Sequence, residues 1–134
     1  MPRFLLIVNY DNGVNDVPPM DEWRPDEVTA HMNYYEALNR DLIESGELVG
    51  GTILAHPRLA RIVRCDGASP PIVTDGPFPE SKEVVAGFQV VDVESEARAV
   101  EIAALVSAVP GPAGVPLQQP IEVRQVMSGL PDEP

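Results

Sequence analysis

Val84-Val85-Ala86-Gly87-Phe88-Gln89-Val90-Val91-Asp92-Val93 is the stretch on which the fold turns. Its density of valine marks a β-strand, interrupted only at Ala86-Gly87. Apolar side chains stand at both odd and even positions, and successive residues of a strand point to opposite faces. Both faces of the sheet must therefore be covered at this strand. Phe4-Leu5-Leu6-Ile7-Val8-Asn9-Tyr10 has the same character and supplies a second two-faced strand near the start of the chain.

The elements around these two strands fix the rest of the pattern. Pro25 suits the first position of a helix, Gly46 suits its stop, and the helix is expected to run from there to about Ser45. Its apolar stripe is Val28, Met32, Tyr35, Leu38 and Leu42, which places His31 at the edge of the buried face. Val49 to Ala55 and Leu59 to Cys65 read as strands, with Asp66-Gly67 opening a turn and Pro71 to Val73 resuming the strand. Ser95 is a good N-cap for a second helix over Glu96 to Ala108, closed by Pro110. Arg98 stands where a capping box would need an acid or amide. Pro112 to Pro120 is a connector, Ile121 to Met127 a last strand, and residues 128–134 read as a disordered tail.

The resulting order, β-α-β-β-β-α-β with a short extra strand in a central hairpin, is that of the ferredoxin-like split βαβ unit. The expectation is one α+β domain over residues 1–127, with both helices on one face of an antiparallel sheet. Two helices cover only that face. A second copy of the sheet is the simplest cover for the other, so the pattern predicts a homodimer.

Composition narrows the function classes. The chain has 134 residues, 44% of them hydrophobic, and a formal net charge of −12. Such a charge repels phosphates, which argues against direct binding of nucleic acid or of an anionic membrane surface. No apolar stretch approaches the roughly 20 residues of a spanning helix. Met1-Pro2-Arg3 with Phe4 to Val8 reads as a first strand, not a leader. Cys65 is the only cysteine, so no disulfide forms within the chain and a reducing, cytoplasmic setting is expected. Beside a strand, this thiol is expected to serve as inert packing.

Charge is unevenly placed. Asp11, Asp16, Asp21, Glu22, Asp26 and Glu27 face only Arg24 in their segment, whereas Leu48 to Cys65 holds Arg58, Arg61 and Arg64 and no acid. Such patches either steer self-association or an anionic ligand, or are two solvated surfaces. The acidic segment, with Trp23 near its end, is long for a connection and reads as a lid, a partner contact or an insert.

Thr74-Asp75-Gly76-Pro77-Phe78-Pro79-Glu80-Ser81-Lys82-Glu83, followed by Gly87-Phe88, resembles the signature of the YCII-related proteins of the DGPF type. Pro79 replaces the usual alanine, and Ala86 replaces the first glycine of a Gly-Gly-Phe step. Glu122-Val123-Arg124-Gln125-Val126 is similar to the family's ending, with Gln125 in place of proline. The resemblance implies a dimeric α/β barrel of ferredoxin-like subunits, a bacterial setting and genes beside or fused to extracytoplasmic-function sigma factors. It implies no established reaction. YCII-type relatives carry a histidine and an aspartate suspected of acid–base chemistry, the histidine lying in the first helix as His31 does here.

The candidate residues follow. Asp75-Gly76-Pro77-Phe78 makes a turn anchored by Phe78, and the rigid loop is expected to project Ser81, Lys82 and Glu83 toward a cavity. Backbone N–H groups, one ammonium and a hydroxyl there suit a small anionic or carbonyl-bearing ligand. His31 suits proton transfer because imidazole ionises near neutral pH, and Asp75 is its candidate carboxylate partner. The alternative for His31 is plain packing. Tyr34 and Tyr35 are expected to line the same cavity or to be core, and Arg124 to face the space between sheets, with a salt bridge to Glu122 or Glu83 of the other subunit as the alternative. His56 and His31 are the only histidines, and no metal-ligand spacing or cofactor fingerprint is present. The leading reading is a ligand-binding or regulatory dimer with a sigma-factor-linked partner. The alternative is a small lyase or isomerase using His31 and Asp75.

Overall fold

The computed structural model describes residues 1–11, 17–18, 20–55, 59–76 and 83–127. Strands β1 (Arg3–Asp11), β2 (Leu48–Ile53), β5 (Glu83–Asp92) and β6 (Ile121–Gln125) form one sheet in the order β2-β5-β1-β6. Every neighbouring pair in it is antiparallel. Strands β3 (Arg61–Arg64) and β4 (Ile72–Asp75) form a separate two-stranded sheet. Helices α1 (Pro25–Glu44) and α2 (Glu96–Ser107) complete an α+β domain compatible with a ferredoxin-like fold.

The two-faced strands are the central pair, as their composition demands. Phe4, Leu6, Val91 and Val93 point to the helical side, where they pack with Leu42, Ala99, Ile102 and Ala103. Leu5, Ile7, Phe88 and Val90 occupy the alternate positions and face away from the helices. Each is only partly buried. Ala86 is skipped in the pairing of β1 with β5, between Val8↔Gly87 and Asn9↔Val85, and forms a bulge. Gly87 has a packing reason: a Cβ there would lie 2.7 Å from the Thr52 carbonyl oxygen of β2. Gly51 meets the Phe88 carbonyl oxygen in the same way, at 2.8 Å. These two glycines let β2 close on β5.

Three expectations need correction. The central hairpin does not join the main sheet, because β3 and β4 pair with one another, from Arg61↔Asp75 to Arg64↔Ile72. Among the described residues there are therefore six strands. The buried stripe of α1 departs from the one read in the sequence at one position: Met32 is 50% exposed, whereas His31 is 6% exposed and joins Leu38 and Leu42 on the buried side. Cys65 is exposed, with its thiol beside Ser69 and Gly67 in the β3–β4 turn, so it does not serve as core packing.

Local chemistry sets the helix ends. Ser95 caps α2, its Oγ accepting from the Arg98 N–H at 3.2 Å. Freed from any capping role, the Arg98 guanidinium grips Glu47 through two hydrogen bonds, of 2.8 and 3.0 Å, and ties α2 to the start of β2. Gly46 follows α1 with φ +80°, the left-handed turn that glycine enters without a Cβ clash. The tail at 128–134 lies outside the described residues.

Candidate functional site

His31 is the only histidine among the described residues, and it sits where α1 meets the segment after α2. Its Nδ1 lies 2.9 Å from the Pro110 carbonyl oxygen. A carbonyl only accepts, so Nδ1 carries a proton, and in the neutral tautomer that this selects Nε2 is the acceptor. Trp23 and Tyr35 meet this ring edge-on, at centroid distances of 5.3 and 5.1 Å. Such T-shaped contacts place positive ring edges against π faces and hold the imidazole in one orientation.

The surrounding bonds make this end of α1 rigid. Tyr35 is largely desolvated, and burial pushes its phenol above the ordinary range. The Tyr34 hydroxyl donates to the Leu105 carbonyl of α2 at 2.6 Å. Glu27 accepts from the Ala113 N–H at 2.6 Å and from the Arg24 N–H at 2.9 Å. Those two backbone donors, Ala113 first, hold its carboxyl below the usual carboxylate range. Ala113 itself has φ 58°, uncommon for a non-glycine residue, and its N–H is held by Glu27.

One turn further along α1, Asn39 Oδ1 accepts from Gln89 Nε2 at 2.9 Å. The other Gln89 side-chain atom, Oε1, is buried and has no hydrogen-bond partner among the described residues. His31, Tyr35 and Asn39, at successive steps of four, thus share one side of α1, with Asn39 reaching the sheet and His31 the segment after α2.

The other expected site residues fall elsewhere. Asp75 ends β4, is 89% exposed at its side chain and lies 3.5 Å from Arg61. None of the contacts of His31 involves it. Arg124 faces the helix-free side of the sheet, opposite Leu5, and pairs with Glu122 of its own chain at 3.7 Å. Glu83 begins β5, where its backbone partner is Asp11. Ser81, Lys82 and His56 lie outside the described residues. The structure therefore joins His31 with Tyr35 and separates both from Arg124.

Trp23 was not placed at this site by the sequence. Its Nε1–H donates to the Pro18 carbonyl at 2.7 Å, which folds the acidic approach back over α1. A signal existed, since Trp23 directly precedes the cap residue Arg24, and an apolar residue there commonly packs over the first turns. Glu27, the third residue of the helix, was readable by the same rule. The role of Pro110 depends on tertiary structure alone.

Among the described residues, no group of three or more His, Cys, Asp or Glu side chains could hold a metal ion. No helix among them is long and apolar enough to cross a membrane.

An antiparallel sheet carrying two helices on one face, with a histidine held against the return segment, defines an α+β domain compatible with a ferredoxin-like fold. The YCII-related domain family matches residues 3–114, and the chain belongs to that family. It is also similar to an uncharacterized protein of Rhizobium meliloti (strain 1021), at 33% identity over 89 residues, covering 66% of this chain and 71% of the relative.

Proposed function

We propose that the domain binds a small anionic or carbonyl-bearing molecule beside His31, as a homodimer. The observation that carries the reading is the His31 ring itself. It is nearly buried, oriented by the Pro110 carbonyl and two aromatic edges, and leaves Nε2 as an acceptor. Ser81, Lys82 and Glu83, in the loop that resembles the DGPF signature, supply the ligand's anionic contacts in this reading, because the loop leads into β5 beside the end of β1. Family membership and the helical histidine support it. A sigma-factor-linked partner would couple binding to regulation.

The homodimer rests on the helix-free face. Leu5, Ile7, Phe88 and Val90 form an apolar centre there, rimmed by the Arg3–Asp92 and Arg124–Glu122 pairs. An apolar centre inside a polar rim is the anatomy of a protein interface.

The test is thermal shift against phosphate, acetate and pyruvate, run on wild type, His31→Ala and Lys82→Ala. A probe at about 100 times its dissociation constant stabilises the fold by roughly 2.7 kcal/mol. Stabilisation of wild type that both variants lose is the expected result. Equal shifts in all three proteins, or none in any, would sink the reading.

A lyase or isomerase is the second reading, and the free acceptor Nε2 favours it. It needs a carboxylate near the ring. Asp75, exposed at the end of β4, would have to reach His31 of another copy. Turnover abolished by either His31→Ala or Asp75→Asn, and restored on mixing the two variants, is its signature.

A further inference from the structure

Two side chains of α1, one helical turn apart, hold the segment that follows α2. His31 Nδ1 lies 2.9 Å from the Pro110 carbonyl oxygen, and Glu27 Oε2 accepts from the Ala113 N–H at 2.6 Å. Residues at i and i+4 share one side of a helix, so both reach the same stretch of backbone. Among the described residues no other α1 side chain hydrogen-bonds residues 109–117, the Tyr34 hydroxyl going to Leu105 instead.

That segment is braced within itself. Pro110 bridges Pro116, the Gly111 N–H donates to the Val115 carbonyl at 2.8 Å, and the Gly114 N–H donates to the Gly111 carbonyl at 3.0 Å. A Cβ on Gly111 would collide with the Leu117 side chain, so the turn is packed tight as well. Pro110 and Ala113 therefore belong to one unit. Within it Ala113 has φ 58°, a left-handed conformation that alanine enters at a cost. The residue under that strain is the one whose N–H the Glu27 carboxylate holds. Glu27 is itself fixed at the helix start, where Oε1 accepts from the Arg24 N–H at 2.9 Å.

We propose that Glu27 is a positioning residue for His31. Through Ala113 it sets the Pro110 carbonyl against Nδ1, which keeps the ring in the Nδ1–H tautomer with Nε2 as the acceptor. With Glu27 gone, Ala113 relaxes out of its left-handed conformation, the turn shifts, and the Nδ1–H loses its acceptor. The ring then reverts to the Nε2–H form that a solvated histidine favours, since the bond at one ring nitrogen decides the state of the other. The consequence for binding rests on the ligand reading above, whereas the tautomer itself does not.

Long-range proton–nitrogen correlation spectra of the imidazole test this without a ligand, at about pH 8, above the ordinary histidine value of about 6.5. Every protein carries His56→Gln, so that His31 gives the only imidazole signals. Compared with that parent are Glu27→Ala, Glu27→Ala with Ala113→Gly, and Pro25→Gly, and circular dichroism melts check that each folds. In the parent, Nδ1 is expected to be the protonated nitrogen. Glu27→Ala is expected to lower the ratio of Nδ1–H to Nε2–H by about tenfold, the weight of one hydrogen bond. Adding Ala113→Gly should recover part of that loss, because glycine takes a positive φ without a Cβ penalty. Pro25→Gly loosens the same end of α1 but touches neither bond, so it should leave the ratio alone. Should Glu27→Ala unfold, Glu27→Gln, with one acceptor for two N–H donors, should show a smaller fall in the same direction. An unchanged ratio without the Glu27 carboxylate overturns the proposal and leaves Glu27 a helix cap only. An equal fall in Pro25→Gly, or no recovery with Ala113→Gly, also overturns it. If the ratio responds as expected while no probe shifts the wild-type melt, the role of Glu27 stands and the ligand reading falls.

Discussion

The four-stranded sheet and the β3–β4 arm are built from similar residues and have opposite fates. Both are rich in valine and isoleucine. In the sheet, Leu6 and Val91 are wholly buried because two helices close over one face. In the arm, Ile72 remains 65% exposed because nothing among the described residues covers it. The difference teaches that strand composition states only a need for burial. Which surface meets that need, from the same chain or from another copy, depends on what the connections carry to it.

Truncation should separate the two regions most sharply. Ile102→Ala removes buried methyl groups from the layer between α2 and the sheet and is expected to cost about 2–5 kcal/mol. Ile72→Ala removes side chain already in water and is expected to stay within roughly 0.5 kcal/mol at concentrations where the protein is monomeric. Urea denaturation midpoints at constant slope read both. A large loss at Ile72 in dilute protein would mean that the arm is covered by its own chain.

A smaller effect tests how the site is held. His31→Phe keeps a ring between Trp23 and Tyr35 but leaves the Pro110 carbonyl without its donor. The cost is expected to be about 1–3 kcal/mol if the carbonyl stays dry. The same urea experiment measures it, and no loss would show that water replaces the ring N–H.

These two experiments probe what could and could not be read in advance. Period-two apolar patterning and the Ser95 cap were legible because they are local, and they set the sheet and α2. The α1 stripe was read one residue off, with Met32 in place of His31. Hydrophobicity ranks methionine above histidine, but a tertiary hydrogen bond to Pro110 and two aromatic contacts outweigh that ranking. The separation of the arm from the main sheet was not legible for a related reason. Whether Ile72 to Asp75 extends the main sheet or pairs only with β3 depends on register with distant strands, which no local pattern encodes. At the site, His31 and Tyr35 were legible together from their helical spacing, whereas Trp23 was assigned to the acidic approach.

Ion pairing offers a finer separation. Arg98 reaches Glu47 through a bidentate contact and Glu101 through a third bond of 3.1 Å, whereas Arg61 meets Asp75 at 3.5 Å with both side chains in water. Arg98→Met is expected to lower stability by about 1 kcal/mol, and Arg61→Met by a few tenths at most. Half a molar sodium chloride should narrow the gap, since screening weakens partly exposed pairs. Equal effects of the two substitutions would place Arg98 in the same solvated class as Arg61.

Acid gives the smallest and most local contrast. Glu47 is held below the usual carboxylate range first by its hydrogen bond from Arg98, and Asp66 first by the Ser69 N–H and then by that of Ala68. A carboxyl with a lowered folded value adds stability above its unfolded value and loses it as pH falls through the folded one. Both residues therefore contribute at neutral pH, and both contributions fade on the acid side. Glu47 joins β2 to α2, so Glu47→Gln should lower the melting temperature of the whole domain at pH 7 and flatten its fall between pH 5 and pH 3, ranges set by about 4.3 for an unperturbed glutamate. Asp66 caps only the turn of the arm, through its bonds to Ala68 and Ser69. Asp66→Asn should leave the global melt unchanged and instead speed hydrogen exchange at Ala68 and Ser69. A global loss of stability in Asp66→Asn would show that the arm and the sheet unfold as one unit.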